Sequence, residues 1–327
     1  MIDSSGHFGS INGLRVNGGS LTLDSITVRE STDAGLRADH VQLDVRNTIF
    51  RNNANSAIVT EKNANGTIDN TTFRNNSKTA LYNKESSLTV KNSLFENNSG
   101  NMGGAINTHC AMTVDNCNIH SNSAVKGGGI FADYKTTITN SSICNNTATS
   151  DGGGVYCGYR GSGYSESFTV KNTKLTGNSS GCEGGALWCD SMNYLTMSDV
   201  EMTNNKAVAN GGGLYAQKGY ASACDPIISG KMTIINNSLT NGTASNAFLG
   251  ENTTSKCIFR IIDTIDSTSR IGITSNTTDK TLDVVKIWHE GAYNNTANVF
   301  SYDTSSYRIN RYNPILSSCY FVEIVRY

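Results

Sequence analysis

Four aromatic residues, Phe131, Tyr156, Trp188 and Tyr215, recur at intervals of 25, 32 and 27 residues. Asp133 and Asp190 stand two places after the first and third of them. Each aromatic directly follows an apolar residue (Ile130, Val155, Leu187, Leu214), so strand alternation turns the aromatic to the opposite face. An outward aromatic strip bordered by carboxylates can hold sugars, with rings against flat apolar sugar faces and carboxylates accepting hydroxyl hydrogens. The pattern also fits rings packed under an insertion or a neighbouring subunit, which is the more ordinary origin of such a strip. Two insertions, "GYRGSGYSES" (158–167) and "KGYASACDPIIS" (218–229), lie beside the strip.

Other chemistry is thinner. Hydrolysis of a glycosidic bond uses two carboxyls about 5–9 Å apart, and Asp39 with Glu61, or Asp133 with Asp190, share a column. A calcium-assisted lyase needs several converging oxygens and a base. No dense acidic cluster is evident, so no catalytic residue is assigned. A polysaccharide lyase or glycoside hydrolase remains the alternative reading. His120 and Cys144 stack in register, but two ligands without a third define no metal site. The 9 Cys are odd in number and include no Cys-x-x-Cys pair, which argues against a zinc site and a complete disulfide framework. Cys157 and Cys189 take inward positions on adjacent repeats, where a disulfide or two small buried thiols both fit. No cofactor is expected.

The element that positions these residues is a repeat. Val28, Phe50, Phe73, Phe95, Ile119, Ile143, Leu175 and Met202 each stand three places before Asn or, at Val28, Ser31. A second apolar position lies five residues earlier, and a third lies 8 to 12 residues later. Three short apolar stretches per coil of roughly 22 residues read as a parallel β-helix, since one coil cannot bury its own apolar face. Two Asn columns, one from Asn47 to Asn172 and one from Asn53 to Asn237, fall where the chain turns, as amide ladders between coils. Coils carrying Gly103, Gly127, Gly152, Gly184 or Gly211 reach the third strand in 11 or 12 residues instead of 8, and Gly permits the tight return. Asp24, Arg46, Asp69, Lys91 and Asp115 alternate in sign up one outer edge.

The expected fold is all-β, a right-handed single-stranded parallel β-helix of about nine coils. It spans 1–245 with an N-terminal cap, and 246–327 form an irregular C-terminal capping segment. Handedness follows the general chirality of parallel crossovers. Charged residues are only 16%, net charge is −1 and Pro numbers 2, which disfavours coiled coil and disorder. No basic patch suggests nucleic acid, and no apolar run is long enough to insert in a membrane. The first residues, "MIDSSGHFGS", lack the pattern of a secretion signal, so location is inferred from architecture.

"FENN" (95–98) with "GGAI" (103–106), and "GGAL" (184–187), resemble the FxxN and GGA[ILV] repeats of the chlamydial polymorphic outer-membrane protein family. They are similar, too, to adhesin-like β-helix repeats on the surfaces of anaerobic gut bacteria and archaea. The resemblance covers about 18–245. It implies a secreted, surface-displayed adhesin or spacer that meets a host or plant glycan, or a surface protein.

Overall fold

Strands pair with strands one repeat away, in parallel and in register. Leu88–Lys91 pairs with Gly66–Asp69 on one side and Met112–Asp115 on the other, placing Ile68, Val90 and Val114 in one column. All three are fully buried, while Thr89 and Lys91 point outward and are half-exposed. The alternation of apolar and polar residues therefore becomes inside and outside of a solenoid. The structure is a computed structural model. It describes residues 7–9, 13–158, 167–190, 194–217, 224–250, 257–274, 281–287, 299–303, 307–312 and 320–326.

Each coil has three main faces. In the fourth repeat they are Leu88–Lys91, Leu94–Glu96 and Ile106–Thr108. Phe50, Phe73 and Phe95 stack along the inside of the second face, with centroids 5.3 and 4.5 Å apart. In the later coils the first two faces run together as Ser167–Thr176 and Tyr194–Thr203. Even there, Asn172 and Asp199 keep positive φ values of 46° and 55° at the bend.

The two Asn columns divide the work of turning. Asn47, Asn70, Asn92, Asn116 and Asn140 take the left-handed conformation themselves, at φ 44–52°. The Asn53 column was expected at a turn too, but there the preceding residue (Asn52, Asn75, Asn97) turns left-handed. Asn53, Asn76, Asn98 and Asn122 instead point inward and are buried. From Asn76 on, each side-chain oxygen in this inner ladder accepts two bonds from the coil before it: Asn98 donates through both N and Nδ2 to Asn122 Oδ1, each at 3.0 Å. The outer ladder is exposed, as in Asn70 Nδ2 to Asn47 Oδ1 at 2.9 Å.

The Gly pairs explain a feature beyond the expected three strands. Longer coils carry a fourth two-residue strand, giving a five-stranded parallel sheet of Ser123–Ala124, Thr147–Ala148, Ser179–Ser180, Lys206–Ala207 and Ser238–Leu239. Extra backbone in a longer turn must find hydrogen-bond partners, and the next coil's longer turn supplies them. The two glycines serve different needs. Gly127 has φ +63°, whereas a Cβ on Gly128 would meet Gly153 O of the next coil at 2.4 Å.

Parallel stacking does not stop at 245. Ala247–Leu249 pairs with Leu214–Gln217, Phe259–Ile265 with Ile227–Gly230, and Phe300–Tyr302 with Arg270–Thr274. The solenoid has about 10 turns, one more than the repeat count suggested. The inner ladder continues as well: Asn237 donates to Asn246 Oδ1, and Asn246 donates through N and Nδ2 to Asp303 at 2.7 and 2.6 Å. Unequal insertions had hidden this register. Thr281–Ile287 and Tyr307–Tyr312 then pair antiparallel with Tyr320–Arg326, so the parallel order ends in antiparallel pairing.

The outer charge column forms as expected, with Arg46 Nε 2.8 Å from Asp24 and Lys91 Nζ 3.3 Å from Asp69. Hydrogen bonds from Arg46, then Asn47 and Ser25, hold the Asp24 carboxyl at about 2. Asn92 chiefly lowers Asp69, and Thr139 chiefly lowers Asp115. Folded values below unfolded ones mean stability that is present above about pH 4 and lost as pH falls toward 2. Melting temperature is therefore expected to fall between pH 4 and 2, and Asp24→Asn should shallow that decline. An identical acid limb in the variant would remove Asp24 from the explanation.

Candidate functional site

The third face carries the aromatic column. Arg37, Val59, Tyr82, Asn107, Phe131, Tyr156, Trp188 and Tyr215 are register partners on successive coils. Phe248 extends the column by one more coil. From Phe131 to Phe248 the rings form one continuous stack, with centroids 5.0, 4.2, 6.1 and 5.4 Å apart and planes within 9°. This geometry changes what the strip can offer. Parallel rings along the solenoid axis present their faces to each other, so those faces are closed to sugar. Phe131 and Tyr215 are buried at 2% and 5% exposure, while Tyr156 and Trp188 are half-buried and show edges. The open strip expected along all four residues is thus reduced to two ring edges. The insertion residues 159–166 and 218–223 lie outside the described residues.

Charged groups border those edges. Lys126 Nζ lies 4.8 Å from the Tyr156 ring centroid and 6.0 Å from that of Trp188. It is 3.6 Å from Asp151. Glu183 lies 3.4 Å from Trp188 Nε1, which donates to it, and also accepts from Asn210 Nδ2 at 3.3 Å. Tyr215 donates to Gln217, and burial pushes its phenol well up from the ordinary value. Asp133, 9% exposed, sits 2.8 Å from His109 Nδ1. Asp190 pairs in register with Gly158 and Gln217.

The other carboxylate pair, Asp39 and Glu61, does stand side by side in register. Glu61 is 3.8 Å from both Arg37 and Lys84, and Asp39 is 3.7 Å from Lys62. These carboxylates are embedded in alternating charge. His120 faces Cys144 in register and lies 3.8 Å from Glu96.

Just ahead of the stack lies a hollow of about 400 Å³. It exists because turn length changes there: Phe73 reaches Leu81 in 8 residues, but Phe95 needs 11 to reach Ile106. The longer turn overhangs the shorter, with Thr79 Oγ1 donating to Met102 O at 2.9 Å. Val59, Tyr82 and Asn107 line the hollow from the strands, and Asn55, Lys78 and Asn101 from the turns. Tyr82 is not in the parallel stack. Its column neighbours are Val59 and Asn107, and it meets only the His109 ring, at 80° and 5.7 Å. Asn107 is buried, and its Oδ1 has no hydrogen-bond partner among the described residues. An unsatisfied buried acceptor costs about 1–3 kcal/mol. Reading outward columns alone did not single out Tyr82, Asn107, Asn55, Lys78 or Asn101. The jump in turn length was the available signal.

The stacked parallel coils define a β-helix, and residues 12–165 match the family model described as right handed beta helix region. Residues 199–217 match the Chlamydia polymorphic membrane protein repeat. The chain is therefore a right-handed β-helix repeat protein resembling chlamydial polymorphic membrane protein passenger repeats. The two matches point to a surface-associated protein. Comparison with curated proteins and with solved structures gives no match.

Proposed function

We propose that this chain is an exposed module of a cell-surface protein, an adhesin or spacer that holds an extended host or plant glycan along its third face. The hollow beside Tyr82 carries this reading. It combines an aromatic ring outside the stack with the amides of Asn55, Asn101 and Asn107, the kinds of group that bind saccharides. Among the described residues Lys78 and Arg37 line it and no carboxylate does; Arg37 is paired with Asp33 and Glu61, so Lys78 is the cation that favours a glycan with acidic groups. The chain of sugars then continues past the edges of Tyr156 and Trp188, with Asp133 and Asp190 alongside and Phe131 and Tyr215 supporting the stack from within.

The test is calorimetric titration with polygalacturonate, hyaluronan and neutral xylan. Saturable binding to an acidic polymer is expected, weakened at least ~10-fold, or about 1.4 kcal/mol, by Tyr82→Ala and by Asn107→Ser. Thermal melts confirm that both variants are folded. If none of the polymers binds, or if neither substitution matters, the glycan reading fails. A spacer or a protein-contact surface then takes its place.

A further inference from the structure

Four cysteines that the surface reading does not use converge inside the later coils of the solenoid. Cys157, Cys189, Cys224 and Cys257 are all at most 2% exposed. Cys157 and Cys189 are register partners on adjacent coils. Cys257 Sγ donates to Cys224 O at 2.6 Å. The closest approach joins two different faces: Cys189 on the third face and Cys224 just before strand Ile227–Gly230 have sulfurs 3.0 Å apart.

We infer that Cys189 and Cys224 form a disulfide, which ties the third face of one coil to the chain entering the first face two coils further on. Carbon atoms in van der Waals contact settle at about 3.5–4.0 Å and sulfur is larger than carbon, so two thiols at this separation are compressed. A bonded pair sits near 2.05 Å, within reach of a small side-chain rotation. Cys189 can bond one partner, and Cys157, stacked on it, is the competing choice. Cys224 lies within the second insertion (218–229), so the bond pins that insertion to the third face.

The chemistry balances with a disulfide oxidant such as oxidised glutathione or a protein disulfide. The Cys224 thiolate attacks the oxidant's disulfide and expels one thiol. Cys189 then attacks the Cys224 sulfur of the mixed disulfide and releases the second thiol. Two protein thiols lose two protons and two electrons, and the oxidant leaves as two thiols. The exchange must precede closure of the coils. In the folded chain burial pushes the Cys189 thiol well up, and the contact with Cys189, then burial, does the same to Cys224.

The experiment is refolding of the full chain in a glutathione redox couple, followed by N-ethylmaleimide in guanidinium without reductant. Tryptic mass spectrometry then reads the pairing. The expected species joins Leu175–Lys206 to Gly219–Lys231, two hydrogens lighter than the separate peptides. It persists in Cys182→Ser, which removes the other thiol of the first peptide, and disappears in Cys189→Ser. Refolding under reductant should lower the melting temperature by about 5 °C or more. Alkylation of both Cys189 and Cys224 overturns the proposal. So does a link from Leu175–Lys206 to Thr136–Arg160 that persists in Cys182→Ser and in Cys144→Ser, which would assign the bond to Cys157.

Discussion

Phe73→Ala is expected to remove about 3–5 kcal/mol of stability. Phe73 is fully buried and lies between Phe50 and Phe95, with one ring on each side at 5.3 and 4.5 Å. Truncation loses the transfer energy of the ring, leaves a cavity, and breaks two stacked pairs that add about 0.5–1.5 kcal/mol each. Relaxation is restricted because neighbouring coils are held by backbone bonds on three faces. In a solenoid, each coil is stabilised by its neighbours, so a defect in the middle weakens two interfaces. Val28→Ala, two coils earlier in the same column, removes less volume and should cost about 2 kcal/mol or less. Urea unfolding followed by circular dichroism checks the order. Equal effects from the two substitutions would mean that ring stacking is not a main source of cohesion.

The second large effect concerns the inner ladder. Asn122 Oδ1 accepts from Asn98 N and Nδ2, and Asn122 Nδ2 donates to Phe95 O, His120 O and Asn146 Oδ1 at 2.9–3.0 Å. Asn122→Ala leaves Asn98 N and Phe95 O without these partners in a buried site, at about 3 kcal/mol for the two. Asn122→Asp keeps the shape but aims a carboxylate at three acceptor oxygens. That carboxyl should be held protonated in the folded chain, with its pKa raised above the unfolded value of about 3.9. The folded state then binds the extra proton, so stability falls as pH rises above about 4, by up to about 1.4 kcal/mol per pH unit. The Ala variant lacks this added slope. Urea midpoints at pH 4 and pH 7 separate the cases. An Asp variant whose deficit is the same at both values would contradict the acceptor geometry.

The alternation Leu88–Thr89–Val90–Lys91 and the Phe-x-x-Asn spacing were enough to read three faces per coil. They also gave the register, down to Cys157 beside Cys189 and Asp39 beside Glu61. Both depend on residues close in the chain, repeated at nearly equal intervals. Where intervals changed, legibility ended. Asn246, Phe248 and Asp303 continue ladders whose repeats are stretched by insertions, so the intervals along the chain read as an irregular cap. The binding face was legible only as a column. Residue types identified Phe131, Tyr156, Trp188 and Tyr215 as outward, but not which way each ring would turn.

From the sequence alone came the solenoid, its parallel register, the inward apolar columns and the two Asn columns. Those properties follow from local alternation and from the need of one coil to bury its face on another. Tertiary structure decided that the aromatic faces close on each other, because rings one strand spacing apart gain more from stacking than from standing open to water. It also decided that unequal turns leave a hollow beside Tyr82, and that Cys189 meets Cys224 rather than only its register partner. These outcomes depend on how side chains from different faces and turns of different lengths meet, and no interval along the chain encodes that.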